Sequence, residues 1–283
     1  MELTRKQFDT LSSFATGIGE KDSSLFPELE AAGYISENKI TKDGLDALEP
    51  YRVKSAVFLA AGLGSRLLPL TKETPKPLVK VFGKSFIERL LDACVAAEIE
   101  KIYIVVGHLK EKFLPLKEKY PQIEFIENPK YDRSGTIYSV YCAVDKFDST
   151  YLLESDLLLS NPQLVRKYNY RSTALGIKID KTDDWCWTVN EDKRVTWCKM
   201  GGENCYLFEG IVFFDKRSCE IVKKTVKDVV ENTPDGEKKY LAEAVYTERL
   251  KDYCLEIREC KYEDIIEIDS YEELKAVDKS YDK

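Results

Sequence analysis

Two basic side chains follow a glycine turn early in this chain. The run Val57-Phe58-Leu59-Ala60-Ala61-Gly62-Leu63-Gly64-Ser65-Arg66 is followed by Leu70-Thr71-Lys72-Glu73-Thr74-Pro75-Lys76-Pro77-Leu78. Arg66 brings a permanent charge and a forked donor set suited to phosphate. Lys76 lies between Pro75 and Pro77, whose rings restrict the backbone and aim the side chain. Gly62 and Gly64 let the chain turn tightly and approach a ligand with no Cβ in the way. The N–H groups of such a turn point outward and can cradle phosphate oxygens. Together these residues suit the holding of a nucleoside triphosphate for attack at its α-phosphate. The spacing is neither that of a P-loop nor that of a dinucleotide-binding turn. The competing reading is an ordinary strand and turn with solvated bases.

Two hydrophobic runs end in acids. Tyr151-Leu152-Leu153-Glu154-Ser155-Asp156 and Ile265-Ile266-Glu267-Ile268-Asp269 each read as a buried strand that delivers a carboxylate at its C-terminal tip. Such tips suit Mg²⁺, which takes a few hard oxygen ligands and shares the rest with phosphates and water. Simple solvation of the acids is the alternative. Glu154, adjacent to Asp156, is a secondary candidate. Asp183-Asp184-Trp185-Cys186-Trp187 sets two of the chain's three tryptophans two residues apart, so on a strand Trp185 and Trp187 face one side. Aromatic faces beside carboxylates attract a quaternary ammonium. Glu209, Tyr240 and Glu243 are candidates to complete that cation site. Core packing of both indoles is the alternative.

The elements that must position these groups alternate from Ser55 onward. Strands are expected at Ala56–Ala61, Ile102–Val106, Glu124–Glu127 and Tyr151–Glu154. Helices are expected at Ser85–Ala97, Leu109–Tyr120, Thr136–Val144 and Pro162–Tyr168. This rhythm implies an α/β fold, Rossmann-like, with a mostly parallel mixed sheet and helices on both faces. Ligands in such sheets bind beyond the C-terminal strand ends, where Gly62, His108, Ser134 and Asp156 fall. His108 itself reads as a loop residue. The stretch Thr173 to Phe214 is richer in strands (Thr173–Ile179, Trp187–Val189, Val195–Lys199 and Tyr206–Phe214) and is expected to build an acceptor pocket. A helical part follows, then a strand near Ile265–Ile268 and a helix near Tyr271–Val277.

Residues 1–53 read as a separate small module, with 54–283 as the catalytic domain. Helices near Leu3–Ala15 and Leu25–Ala32, a β-wing at Gly33–Ile35 and Lys39–Thr41, and a helix at Asp43–Leu48 resemble a winged helix. Little room remains for a DNA-reading helix, and acids outnumber bases there. DNA is therefore not an expected partner, and a structural or dimerisation appendage is the preferred reading, which leaves a homodimer open. The whole chain of 283 residues has a net charge of −7, which gives no general attraction to nucleic acid or anionic membrane. No run is long enough to span a membrane, and the N-terminus does not read as a signal peptide. Eight scattered cysteines without a Cys-x-x-Cys pair, and a single histidine, point to reduced cytoplasmic thiols rather than a zinc site.

The string LAAGLGSRLLPLT…TPKPLV, residues 59–79, resembles the signature of the nucleotidyltransferases that build NDP-sugars and CDP-alcohols. The nearest resemblance is to bacterial CTP:phosphocholine cytidylyltransferases, and it runs from about Lys54 to the C-terminus. It implies the nucleotide-diphospho-sugar transferase-like fold and a Mg²⁺-dependent transfer of CMP from CTP to phosphocholine, with release of pyrophosphate. It further implies that Lys76 stabilises charge at the α-phosphate or the attacking phosphate, and that Arg66 holds the β- and γ-phosphates. Asp156 and Asp269 would hold the metal. Leu59, Ala60, Ala61, Gly62, Gly64 and Ser65 would contact the nucleotide, together with Ser134, Gly135 and Thr136; Ser134 serves equally well as a helix cap. Trp185 matches a tryptophan of the phosphocholine enzymes. The segment Tyr240–Ala244 lacks the further aromatics of a full choline cage, which keeps phosphoethanolamine and 2-aminoethylphosphonate open as acceptors. A sugar-1-phosphate nucleotidyltransferase and, more remotely, a nucleotide-sensing DNA-binding regulator are the other readings.

Overall fold

The central sheet has seven strands, in the spatial order Leu255–Cys260, Ser172–Val189, Val195–Phe214, Thr150–Glu154, Ser55–Ala60, Lys101–Val106 and Ile123–Glu127. The structure, a computed structural model, describes residues 2–282. Ser55–Ala60 runs parallel to both of its neighbours, and Lys101–Val106 is parallel to Ile123–Glu127. The strand Val195–Phe214 is antiparallel to both of its neighbours, which makes the sheet mixed.

Why the inner strands read as unbroken apolar runs is visible in their packing. Phe58, Ile104 and Leu153 enter the core on one face, and Val57, Val105 and Leu152 enter the core on the other. A strand covered on both faces has no side left for polar residues. Each fully buried side chain of this size contributes roughly 1.5–3 kcal/mol. The helix Phe86–Ala96 covers the first face with Ile87, Leu90, Leu91 and Cys94. Thr136–Ala143 and Lys216–Asn232 cover the second. In Lys216–Asn232 the stripe Cys219, Val222, Val226 and Val229 has the spacing of one helix face. Asp215 caps that helix by accepting from the Ser218 N–H at 2.8 Å.

Residues before Val53 form a helix at Arg5–Thr16 with a Thr4/Gln7 capping box, a short helix at Phe26–Ala31, a two-stranded ribbon and a helix at Lys42–Leu48. Phe8, Leu11, Leu29, Ile35 and Leu48 close a small core that also takes in Tyr168 of the larger part. Tyr170 donates from its hydroxyl to the Leu3 carbonyl at 3.0 Å, and Arg5 pairs with Glu256.

Three expectations are corrected. Leu109–Tyr120 is not one helix; a 3₁₀ turn at Lys110–Phe113 gives way at Pro115 to the short helix Leu116–Lys119. Proline has no N–H to continue the ladder, and its ring clashes with the preceding turn. Pro162–Tyr168 holds only the 3₁₀ turn Pro162–Leu164, because the chain beyond it is drawn into backbone bonds with Tyr51 and Val53. Within the stretch expected to be helical lies an edge strand, Leu255–Cys260, parallel to Ser172–Val189. Its Leu255 and Ile257 are buried and alternate with Glu256 and Arg258.

Candidate active site

The strand Ser55–Ala60 lies inside the sheet, beside the middle strand Thr150–Glu154, and the glycine turn begins at its end. Gly64 has φ +63°, and a Cβ on it would stand 3.0 Å from both the Lys76 Cβ and the Thr71 Cγ2, so only glycine fits comfortably. Thr71 donates from Oγ1 to the Gly64 carbonyl at 2.8 Å. His108 donates from its backbone N–H to the Ala61 carbonyl, and its Nε2 lies 3.0 Å from the Thr71 carbonyl. The histidine thus ties the loop to the strand end and does not reach the cleft.

Lys76 is the pivot. Only 7% of it is exposed, and its Nζ donates to Asp156 Oδ2 and to Asp269 Oδ1, both at 2.7 Å. Arg66, at the mouth, pairs with the other oxygen of Asp269 at 2.7 Å. Asp156 follows the strand Thr150–Glu154. Asp269 follows Ile265–Glu267, a short strand antiparallel to Leu157–Leu159. That ribbon brings residues over a hundred positions apart in the chain onto one ammonium. Burial works against the charge on Lys76, but the two aspartates outweigh it and hold its pKa above the usual lysine value. Burial likewise opposes the Asp269 charge, and the Lys76 bond together with Arg66 outweighs it, so its carboxyl sits below the usual range.

Carboxylate oxygens of Glu154, Asp156 and Glu267 come within 4.8 Å of one another. Burial, and then the neighbouring Asp156, pushes Glu154 up to about 8 and Glu267 up to about 10. Asp156 Oδ1 is buried with no partner. An all-oxygen set with an orphaned carboxylate oxygen fits a hard divalent cation. Glu267 was absent from the residues singled out by sequence, although its i,i+2 spacing from Asp269 was a usable signal.

One cleft of about 840 Å³ gathers most of the expected residues. Leu59, Ala60, Ala61, Gly62, Gly64, Ser65, Arg66 and Lys76 line one side with Asp156 and Asp269. Ser134, Gly135 and Thr136 line another edge, and Trp185, Tyr240 and Glu243 the far wall, joined by Asp184, Phe208 and Tyr246. Ser134 is not the helix cap: Gly135 occupies the N-cap of Thr136–Ala143, and the Ser134 hydroxyl donates to the Lys130 carbonyl at 2.7 Å.

Trp187 and Glu209 stand apart from the cleft, which corrects their expected place in it. Trp187 is fully buried, with its ring 5.3 Å from that of Phe208 and 5.2 Å from that of Tyr246. Those two rings, which themselves line the cleft, separate the Trp187 indole from it. Glu209 follows Phe208 on the strand and turns to the other side. It is 2% exposed, its Oε2 has no partner, and burial followed by the charges of Glu154 and Asp184 raises its pKa to about 8.

A mixed sheet with a glycine turn at the end of an inner parallel strand and a buried lysine between two strand-end aspartates defines a nucleotidyltransferase. Residues 56–194 match the model of the MobA-like NTP transferase domain. A 2-aminoethylphosphonate cytidylyltransferase of Lancefieldella rimae is 34% identical over 230 residues, covering 80% of this chain and 93% of the relative. A choline-phosphate cytidylyltransferase of Streptococcus pneumoniae is 30% identical over 225 residues, covering 79% of this chain and 96% of that one. The solved structure of the CTP:phosphocholine cytidylyltransferase LicC from Streptococcus pneumoniae superposes with a TM-score of 0.75 at 30% identity, covering 81% of this chain and 99% of that one. The chain belongs to this family of nucleotidyltransferases. Among the described residues no helix is long and apolar enough to cross a membrane.

Proposed function

We propose that this enzyme transfers CMP from CTP to the phosphate or phosphonate of a small amine-bearing acceptor, phosphocholine or 2-aminoethylphosphonate, and releases pyrophosphate. One observation carries the reading: a single cleft is lined both by the Arg66–Lys76–acid cluster and by Trp185, Tyr240, Glu243 and Asp184. An acceptor oxygen attacks the α-phosphorus; the bond from that phosphorus to the β-bridging oxygen breaks, and pyrophosphate carries the electron pair away. The attacking oxygen is already anionic near neutral pH, so no general base is needed. Lys76 serves as a fixed positive charge rather than a proton carrier, because its pKa is held high. Arg66, more exposed, meets the leaving phosphates at the mouth. The turn at Gly62 and Gly64 presents its N–H groups to the same phosphates. Asp156 and Asp269, with Glu154 and Glu267, would hold Mg²⁺, which supplies charge neutralisation at the reacting phosphate.

At the far wall, Trp185 and Tyr240 offer ring faces and Glu243 and Asp184 offer negative charge to the acceptor's amine. Few aromatics and several acids favour a primary ammonium, in keeping with the substrate named for the Lancefieldella rimae relative. Residues 1–53 act as a structural appendage, supported by the core they share with Tyr168. The eight free cysteines accord with a cytoplasmic setting.

The test is pyrophosphate release with CTP or UTP, Mg²⁺ and, in parallel, phosphocholine, phosphoethanolamine, 2-aminoethylphosphonate and glucose-1-phosphate. Turnover with CTP and an amine-bearing acceptor is expected. Turnover with the sugar phosphate alone, or with UTP alone, would overturn the reading.

A further inference from the structure

The segment from Gly236 to Leu241 lies across the first turn of the helix Thr136–Ala143. Gly135 donates its N–H to the Glu237 carbonyl at 2.9 Å, and Ile137 donates to the Lys239 carbonyl at 3.4 Å. In the other direction, the Leu241 N–H donates to Thr136 Oγ1 at 2.9 Å. No side chain caps this helix, so the crossing segment's carbonyls take up N–H groups that would otherwise be orphaned. The fit has no slack: a Cβ on Gly135 would collide with the carbonyl oxygens of Lys238 and Lys239. Tyr240 directly follows Lys239 and Glu243 comes three residues later, both in the far wall of the cleft.

We propose that Gly135 and Thr136 are positioning residues for the acceptor wall, holding Tyr240 and Glu243 in place by anchoring the strap that carries them. The proposal rests on the assignment of that wall to the acceptor's amine. It changes what this edge of the cleft does. The Gly135 N–H and the Thr136 hydroxyl are spent on the strap, so their loss falls on the acceptor before it falls on the nucleotide.

The experiment takes the full chain and the variants Gly135→Ala, Thr136→Val and Thr136→Ser through steady-state kinetics in both substrates, thermal melting, and hydrogen exchange over residues 236–243. Gly135→Ala is expected to raise the acceptor KM on the order of tenfold while the CTP KM stays within about twofold, since displacing a positioned wall is costly. Thr136→Val is expected to raise the acceptor KM about fivefold, the worth of one hydrogen bond. Thr136→Ser, which keeps the hydroxyl, should behave as wild type. Exchange across 236–243 should quicken in Gly135→Ala and Thr136→Val alone. A CTP KM that climbs as far as the acceptor KM, or an unchanged acceptor KM, overturns the proposal. If Gly135→Ala melts below the assay temperature, the Thr136 pair decides. If wild type turns over no amine-bearing acceptor, the functional reading fails, and unchanged exchange in Thr136→Val separately overturns the anchoring.

Discussion

The two ends of the cleft are built on different terms. At the phosphate end, Lys76 is 7% exposed and locked by two 2.7 Å bonds to acids on strand ends. At the far end, Tyr240 is 57% exposed, Met200 is 61% exposed, and Glu243 lies open on the short π-helix Ala242–Thr247. One end is fixed by ion pairs at strand ends, while the other hangs on a strap and on the bulged part of the sheet strand Ser172–Val189. The difference follows what each end must do. Charge that develops at phosphorus is stabilised by groups that need not reorganise. A small acceptor is selected by a wall that can vary without disturbing the sheet.

Breaking the rigid end should cost most. Lys76→Ala is expected to lower kcat by roughly 10²–10³-fold with little change in either KM, because the charge acts on the transition state. It also leaves Asp156 and Asp269 facing each other without their cation, so a melting curve should accompany the kinetics. A kcat within a few-fold of wild type would remove Lys76 from the chemistry.

The adaptable end should answer in binding. Trp185→Ala is expected to raise the acceptor KM about 10-fold to 30-fold, the range of a desolvated cation–π contact, with the CTP KM unmoved. Equal changes in both constants would assign Trp185 to the core alongside Trp187.

Glu209 sharpens the comparison by serving neither end directly. Its carboxyl is raised from 4.5 to about 8 in the folded chain. Between those values the unfolded chain has lost the proton that the folded chain keeps, so this group's contribution makes stability fall as pH rises through the window. Glu209→Gln should therefore flatten the pH profile, with its gain in stability over wild type larger at pH 8 than at pH 5. Denaturant melts at pH 5 and pH 8 check this, and a variant less stable than wild type at pH 8 would show that the buried carboxylate has a cation partner.

Much of the rigid end was legible in the chain itself. Apolar runs that stop at Gly62, Asp156 and Asp269 announce strand ends, and strand ends in such a sheet meet on one edge. The far wall was only half legible. Trp185 and Trp187 have the same spacing signal, and what separates them is Phe208 and Tyr246, contributed by other parts of the chain. A local pattern has no access to that. The edge strand Leu255–Cys260 was readable from its alternation but lay among segments with helical character. Pro115 marked the break in the expected helix, and the apolar spacing around it concealed that. The strap over Gly135 had no signal beyond a glycine, because its partners are backbone carbonyls.

The most direct test of the central claim compares phosphocholine with its carbon isostere, 3,3-dimethylbutyl phosphate, and 2-aminoethylphosphonate with ethylphosphonate, at saturating CTP. The account predicts that loss of the positive charge raises KM by about 30-fold or more while kcat is largely kept. Equal KM values for the charged and uncharged members of both pairs would contradict the division of the cleft into a phosphate end and an amine end.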